Sequence, residues 1–239
     1  METREAAQAL ASEVVISRPS TARELFAPLA ADYERWARVL SLGQDARWRR
    51  AMVARFGLPP GSSVLDLAAG TGQIGREMAR HGHRVVACDQ SIEMLAGGIH
   101  PGPAVAATAE RLPFAESTFD GVVFGYLLRY VDDPAACMAG IARVVRPGGR
   151  VAMLEFGRPR GLARMLWKGY TRIALPVAGA LISPGWRRVG RFLGPSIEDF
   201  HERLPPRRLA RIWDDAGIGE VEWVTMSWGG GLIMWGRRK

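Results

Sequence analysis

The stretch VLDLAAGTGQIG, residues 64–75, decides the fold. Residues 64–67 are apolar except for Asp66 and read as a buried strand. Gly70, Gly72 and Gly75 then satisfy G-x-G-x-x-G at the opening of a helix. Glycines at that spacing turn the chain sharply and let its backbone approach a ligand closely. A tight strand-to-helix turn without any ligand meets the same pattern, so more must be read from the flanks. Downstream, strands at 64–67, 84–88, 104–107, 119–125 and 151–156 are interleaved with helices over 73–81, 91–97 and 134–145. That alternation is the signature of a parallel sheet with crossover helices. A helix over 205–215 and two strands, 220–226 and 231–235, end the chain. The expected fold is α/β and Rossmann-like, with a mostly parallel seven-stranded sheet.

Upstream, residues 22–40 carry apolar side chains at helical spacing, and a second helix covers 44–56 before Pro59, Pro60 and Gly61 break the chain. The expected organisation is an N-terminal helical arm over 1–58 that covers a substrate, then a domain over 59–239 with a helical insertion at 159–194. A chain of 239 residues buries a full core without metals or disulfides. Its two cysteines, Cys88 and Cys137, lack metal-ligand spacing and fit a reducing cytoplasm. The first residues, METREAAQALASE, are too polar and acidic for a secretory signal, and the longest uncharged run, 173–186, is too short to cross a bilayer. A cytoplasmic protein, soluble or peripheral to a membrane, is expected. The net charge is +8, almost all of it from arginine, which admits an anionic partner.

Two carboxylates bear on the ligand. Asp89 follows Gly70 by nineteen positions, at the end of the second strand, where an acid binds vicinal ribose hydroxyls. NAD and S-adenosylmethionine both offer such a ribose. Asp66 separates them, because a pyrophosphate cradle repels a carboxylate at the end of the first strand, whereas a cofactor carrying an ammonium and a sulfonium tolerates or uses it.

Asp66–Gly72, DLAAGTG, resembles motif I of the class I methyltransferases, and residues 87–95, ACDQSIEML, resemble motif II. AERLPF at 109–114 with STFD at 117–120 is similar to the adenine-binding turn. RVVRPGGRVAMLEF at 143–156 and YERWARVLSLGQDARWRR at 33–50 are similar to signatures of the ubiquinone/menaquinone biosynthesis C-methyltransferases, and the likeness extends over about residues 22–239. The resemblance implies S-adenosylmethionine as cofactor, held by Asp66, Ala68, Gly70, Thr71 and Gly72, by Asp89, Gln90 and Met94, by Thr108, Ala109 and Glu110, and by Gly125 and Tyr126. It implies a quinol as methyl acceptor and places Arg129 at the family's catalytic arginine, as stabiliser of a phenolate. Tyr33 is a second candidate, orienting the acceptor from the arm. The chain departs from the family at Glu34 and Ala37, and at Tyr130, which stands where an asparagine follows the arginine.

Each feature has a plainer alternative: Arg129 as a surface arginine paired with Asp132 or Asp133, and Tyr33 as a core tyrosine. His81 and His83 read as solvated loop residues. In the insertion, Arg160, Arg164, Lys168 and Arg172 alternate with Leu162, Met165, Leu166, Trp167, Tyr170 and Ile173. That is either a lid with a solvated basic face or an interfacial element on an anionic membrane. No metal site and no nucleic-acid module stands out. The leading expectation is C-methylation of a prenylated quinol such as demethylmenaquinol. The alternatives, favoured by Tyr130, are methylation of another lipophilic small molecule and a cofactor-binding, non-catalytic partner in a biosynthetic complex.

Overall fold

The computed structural model describes residues 18–239; the acidic N-terminal stretch and the start of the expected arm lie outside the described residues. Seven strands form one sheet: β1 (Ser63–Leu67), β2 (Arg84–Asp89), β3 (Ala104–Ala106), β4 (Phe119–Gly125), β5 (Val145–Phe156), β6 (Ile218–Met226) and β7 (Gly231–Arg238). Their spatial order is β3-β2-β1-β4-β5-β7-β6, parallel throughout except for β7, which runs antiparallel to both β5 and β6. Strand β1 sits centrally, and the chain reverses its winding direction between β1 and β4. Ligands bind outside the carboxyl ends of strands at such a switch point.

Successive side chains of β1 point to opposite faces. Val64 packs with Trp48, Met52 and Phe56 of α3 (Gln44–Phe56) and with Ile74 and Met78 of α4 (Gln73–Arg80). Leu65 and Leu67 enter the larger core on the other face. There they meet α6 (Pro134–Val144) and α10 (Pro206–Asp215), which bury Cys137, Met138, Ile141, Leu209 and Trp213. Helix α3 is therefore one layer of the sheet domain.

Two helices precede α3. The continuous helix expected over 22–40 is instead divided: α1 (Arg18–Phe26) passes through a 3-10 turn at Ala27–Leu29, and α2 (Tyr33–Leu40) starts afresh. Pro28 lies inside that turn, with no N–H to continue an α-helical ladder. The insertion also extends beyond its expected end. It comprises α7 (Gly161–Gly169), a π-turn at Tyr170–Ala174, α8 (Leu175–Ile182) and α9 (Pro184–Arg203). Trp186 and Val189 of α9 pack with Leu29, Phe26 and Tyr33, so insertion and arm join over the carboxyl ends of the strands. The short helix α5 (Ile92–Ala96) follows β2, capped by the Ser91 hydroxyl, which accepts from the Met94 N–H.

Candidate active site

A cavity of about 850 Å³ lies where the loops after β1, β2, β4 and β5 meet the arm and the insertion. Its floor begins at the glycine loop. Ala68 and Gly70 have positive φ angles, 54° in each case, which pushes the backbone toward the cavity. The Gly70 N–H donates to Asp89 Oδ2 at 2.8 Å, and the Ser91 N–H donates to Asp89 Oδ1 at 2.8 Å. A carboxylate offers about four acceptor sites, so Asp89 keeps capacity for a ribose hydroxyl beside its backbone donors. Burial raises the Asp89 carboxyl above its ordinary range, against the pull of those backbone donors. Thr71 Oγ1 is buried in the same wall without a hydrogen-bond partner.

Most of the residues expected at a cofactor line this one cavity: Ala68, Gly70, Thr71, Asp89, Gln90, Met94, Ala109, Glu110, Gly125 and Tyr126. Three do not. Asp66 is fully buried behind the loop, where its Oδ2 accepts from the Gly75 N–H at 2.7 Å and burial pushes its carboxyl up to about 7. Gly72 faces the chain behind the loop, and a Cβ there would stand 2.6 Å from the Ile99 carbonyl oxygen. Its glycine is required by packing. Thr108 is exposed outside the wall, while the next residue, Ala109, turns in.

Arg129 and Tyr33 both line the cavity. The alternative of a surface arginine paired with Asp132 or Asp133 is overturned, since Arg129 is 3% exposed and pairs with Glu155 of β5 at 3.6 Å. Its guanidinium lies over the rings of Tyr130 and Phe156, 4.8 and 5.3 Å from their centroids. Its Nε and Nη1 are buried without partners, as is the Tyr130 hydroxyl. Tyr130 stays protonated, because burial raises its pKa above the ordinary phenol value. Tyr33 stacks on Trp186 at 5.9 Å and 17°, and burial raises its pKa as well. The expectation for His83 also fails. It is buried edge-on against Phe56, with a lowered pKa whose main cause is burial, and it lies away from the cavity.

Sequence reasoning missed a second charged constellation. Asp45 and Arg49, one turn apart on α3, form an ion pair at 2.9 Å inside the cavity wall, and the Tyr126 hydroxyl donates to Asp45 Oδ1 at 2.6 Å. Tyr126 adopts φ 58°, a costly conformation for an aromatic residue that clusters at functional sites. The available signal was the Asp-x-x-x-Arg spacing, which puts both on one helix face.

A glycine loop, an acid at the end of β2 bonded to that loop and a cavity over the switch point define a class I S-adenosylmethionine-dependent methyltransferase. The residues present fit that cofactor, with an acid bearing spare lone pairs, a buried threonine hydroxyl in need of a partner, and backbone exposed at a left-handed loop. The chain matches the model of the ubiE/COQ5 methyltransferase family over residues 15–238, and it belongs to that family. It is 40% identical over 218 residues to a demethylmenaquinone methyltransferase of Mycobacterium sp. (strain JLS), covering 90% of this chain and 92% of that one. It is 35% identical over 226 residues to a protein of the same name from Corynebacterium kroppenstedtii, covering 94% and 96%. Among solved structures, a Thermotoga maritima S-adenosylmethionine-dependent methyltransferase shares the fold, with a TM-score of 0.60 at 18% identity over 90% of this chain and 99% of that one.

Proposed function

We propose that this methyltransferase methylates a ring carbon of a prenylated hydroquinone such as demethylmenaquinol, at the cytoplasmic surface of an anionic membrane. The observation that carries the proposal is Arg129, a buried cation in the wall of a large chamber whose rim is apolar and exposed. The curated relatives, named demethylmenaquinone methyltransferases, support the acceptor class.

When bound, the cofactor supplies an electrophilic methyl carbon on a sulfonium. The chain does the rest. Asp89 takes the ribose hydroxyls, Ala109 and Glu110 flank the base, and the loop at Ala68–Thr71 receives the remainder of the cofactor. A hydroquinone carbon becomes nucleophilic when the adjacent phenol loses its proton, and a cation beside that oxygen stabilises the anion. Arg129 is that cation, held by Glu155 with Nε and Nη1 still unpartnered. Tyr33, whose raised pKa keeps its proton, orients the acceptor. Helices α1 and α2 serve as the substrate cover that keeps water out.

Leu42, Leu166 and Trp228 are exposed and also line the cavity, so they mark its mouth. Leu162, Met165, Ile173, Val177 and Leu181 extend this apolar face along α7, the π-turn and α8. Among the described residues no helix is long and apolar enough to cross a membrane. The face therefore suits lying on a bilayer from which a prenyl tail enters the chamber. Methyl transfer from labelled S-adenosylmethionine to a panel of extracted lipids and reduced quinones tests the reading. The label is expected on a ring carbon of a prenylated hydroquinone. Label on another lipid, or on oxygen, overturns the acceptor assignment.

A further inference from the structure

The ribose acid Asp89 ends β2, the glycine loop follows β1, and Tyr126 follows β4. Neighbouring strands are roughly 4.8 Å apart, so a ligand anchored at Asp89 and lying across the loop reaches Tyr126 after about 10 Å. That is the reach from the ribose of S-adenosylmethionine to its amino-acid end. At that place stand Asp45 and Arg49, both less than a tenth exposed. The Tyr126 hydroxyl engages one Asp45 oxygen, and Arg49 Nε is buried without a partner. Asp66, the acid beneath the loop, does not reach the wall. Tethering of the arm to the domain has its own device, since Glu34 of α2 binds Arg76 of α4 at 2.6 Å.

We infer that the Asp45–Arg49 pair is the receptor for the methionine end of the cofactor, Arg49 taking the carboxylate and Asp45 the ammonium. An ion pair removed from water tolerates a zwitterion, which adds no net charge, far better than a lone ion. Two charges set one helical turn apart also fix the direction of the amino-acid end, and with it the sulfonium between Asp89 and the acceptor.

The inference rests on S-adenosylmethionine as the ligand and is tested by binding alone. S-adenosylhomocysteine carries the whole amino-acid end; 5′-methylthioadenosine lacks it. By calorimetric titration, Arg49→Met should weaken S-adenosylhomocysteine about 10- to 100-fold, the worth of a charge-assisted pair of hydrogen bonds, and move 5′-methylthioadenosine by less than about twofold. Removing Arg49 alone leaves Asp45 as an uncompensated buried charge. Asp45→Asn with Arg49→Met keeps the site neutral, and the same contrast is expected if the single variant fails to fold. Equal loss for both ligands identifies the pair as a mere tie between α3 and Tyr126, and no loss for either shows that the amino-acid end lies elsewhere. Either result overturns the inference. A wild-type protein that binds neither ligand would instead overturn the cofactor assignment.

Discussion

Arg129, just past β4, and Glu155, near the end of β5, form an ion pair at 3.6 Å that is all but sealed from solvent. Glu155 Oε1 also accepts from the Phe156 N–H at 2.8 Å, which fixes the carboxylate against its own backbone. The pair leaves Nε and Nη1 of Arg129, Glu155 Oε2 and the Tyr130 hydroxyl unsatisfied. Buried polar groups without partners are rare, and a cluster of them beside a cavity is where a polar ligand atom or an ordered water belongs. A phenolate oxygen would supply acceptor capacity for the arginine and the tyrosine together.

Arg129→Met keeps much of the apolar stem and removes the charge. Because the cation acts on charge that develops during reaction, kcat should fall by roughly 10²–10³, the range for a lost oxyanion donor. Cofactor affinity should hardly change. Glu155→Gln, which only loosens the guanidinium, should cost about tenfold in kcat. Either single variant breaks a buried pair and should lose about 3–5 kcal/mol of stability, much of it regained in Arg129→Met/Glu155→Gln. Steady-state kinetics with an accepted hydroquinone checks this. Near wild-type kcat for Arg129→Met would remove it from the chemistry.

Asp89→Ala should weaken S-adenosylmethionine about 10- to 100-fold, the worth of a charge-assisted pair of hydrogen bonds. Part of that loss comes through the loop, because Asp89 also holds the Gly70 and Ser91 N–H groups. Asp89→Asn retains an acceptor for one of those donors and should lose less. Titration calorimetry ranks the two, and wild-type affinity in Asp89→Ala would sink the ribose assignment.

The sheet was legible because its strands are continuous apolar runs punctuated by glycine, and the place of Asp89 beside the loop because its spacing from Gly70 is set by one β-α-β unit. Other features depend on long-range packing. Gly72 satisfies the loop pattern yet is demanded by the Ile99 carbonyl, twenty-seven positions on. Arg129 finds Glu155 only because β4 and β5 are neighbours, with Gly125 opposite Leu154. The charges on α3 gave no hint of which would face inward. Trp48 fixes that rotation, its indole N–H donating to Ser227 Oγ at 2.9 Å while Ser227 donates to Gln44 at 2.7 Å. His83 reads as a loop residue because local polarity does not reveal that Phe56 covers it.

Asp66 gives the protein a pH-dependent weakness. Its folded carboxyl titrates near 7, whereas an unfolded aspartate titrates at about 3.9. Between those values the folded state binds more protons than the unfolded one. The stabilisation from this group is therefore complete below about pH 4 and lost as pH rises through about 7. Asp66→Asn can still accept from the Gly75 N–H and has no proton to lose. Its stability relative to wild type should improve by on the order of 1–4 kcal/mol between about pH 5 and about pH 8. Urea unfolding across that range measures the difference, and parallel curves for the two proteins would refute it.

Of the basic side chains expected to face a membrane along the insertion, Arg164 and Arg172 have different surroundings. Arg164 is drawn to Glu198 at 3.1 Å, and Arg158 to the same carboxylate at 2.9 Å, so that part of the insertion is partly neutralised. Arg172, Arg187 and Arg191 instead line a cleft of about 410 Å³ between the π-turn, α8 and α9, next to exposed Ile173, Val177 and Leu181, and form no ion pair among the described residues. A basic cleft bordered by apolar side chains matches an anionic headgroup layer over acyl chains. The protein should co-sediment with vesicles of phosphatidylcholine and phosphatidylglycerol, and less with phosphatidylcholine alone. Each arginine near such a surface is worth about 1 kcal/mol, so Arg172→Gln/Arg187→Gln/Arg191→Gln should lower partitioning by on the order of 100-fold at low salt. Arg160→Gln alone should matter less, because it stands outside the cleft. Leu181→Ser with Trp228→Ser should reduce binding to both vesicle types and leave the salt dependence of the remainder intact, since it removes insertion and not charge. Equal sedimentation of wild type and triple variant would show that the cleft faces away from the lipid.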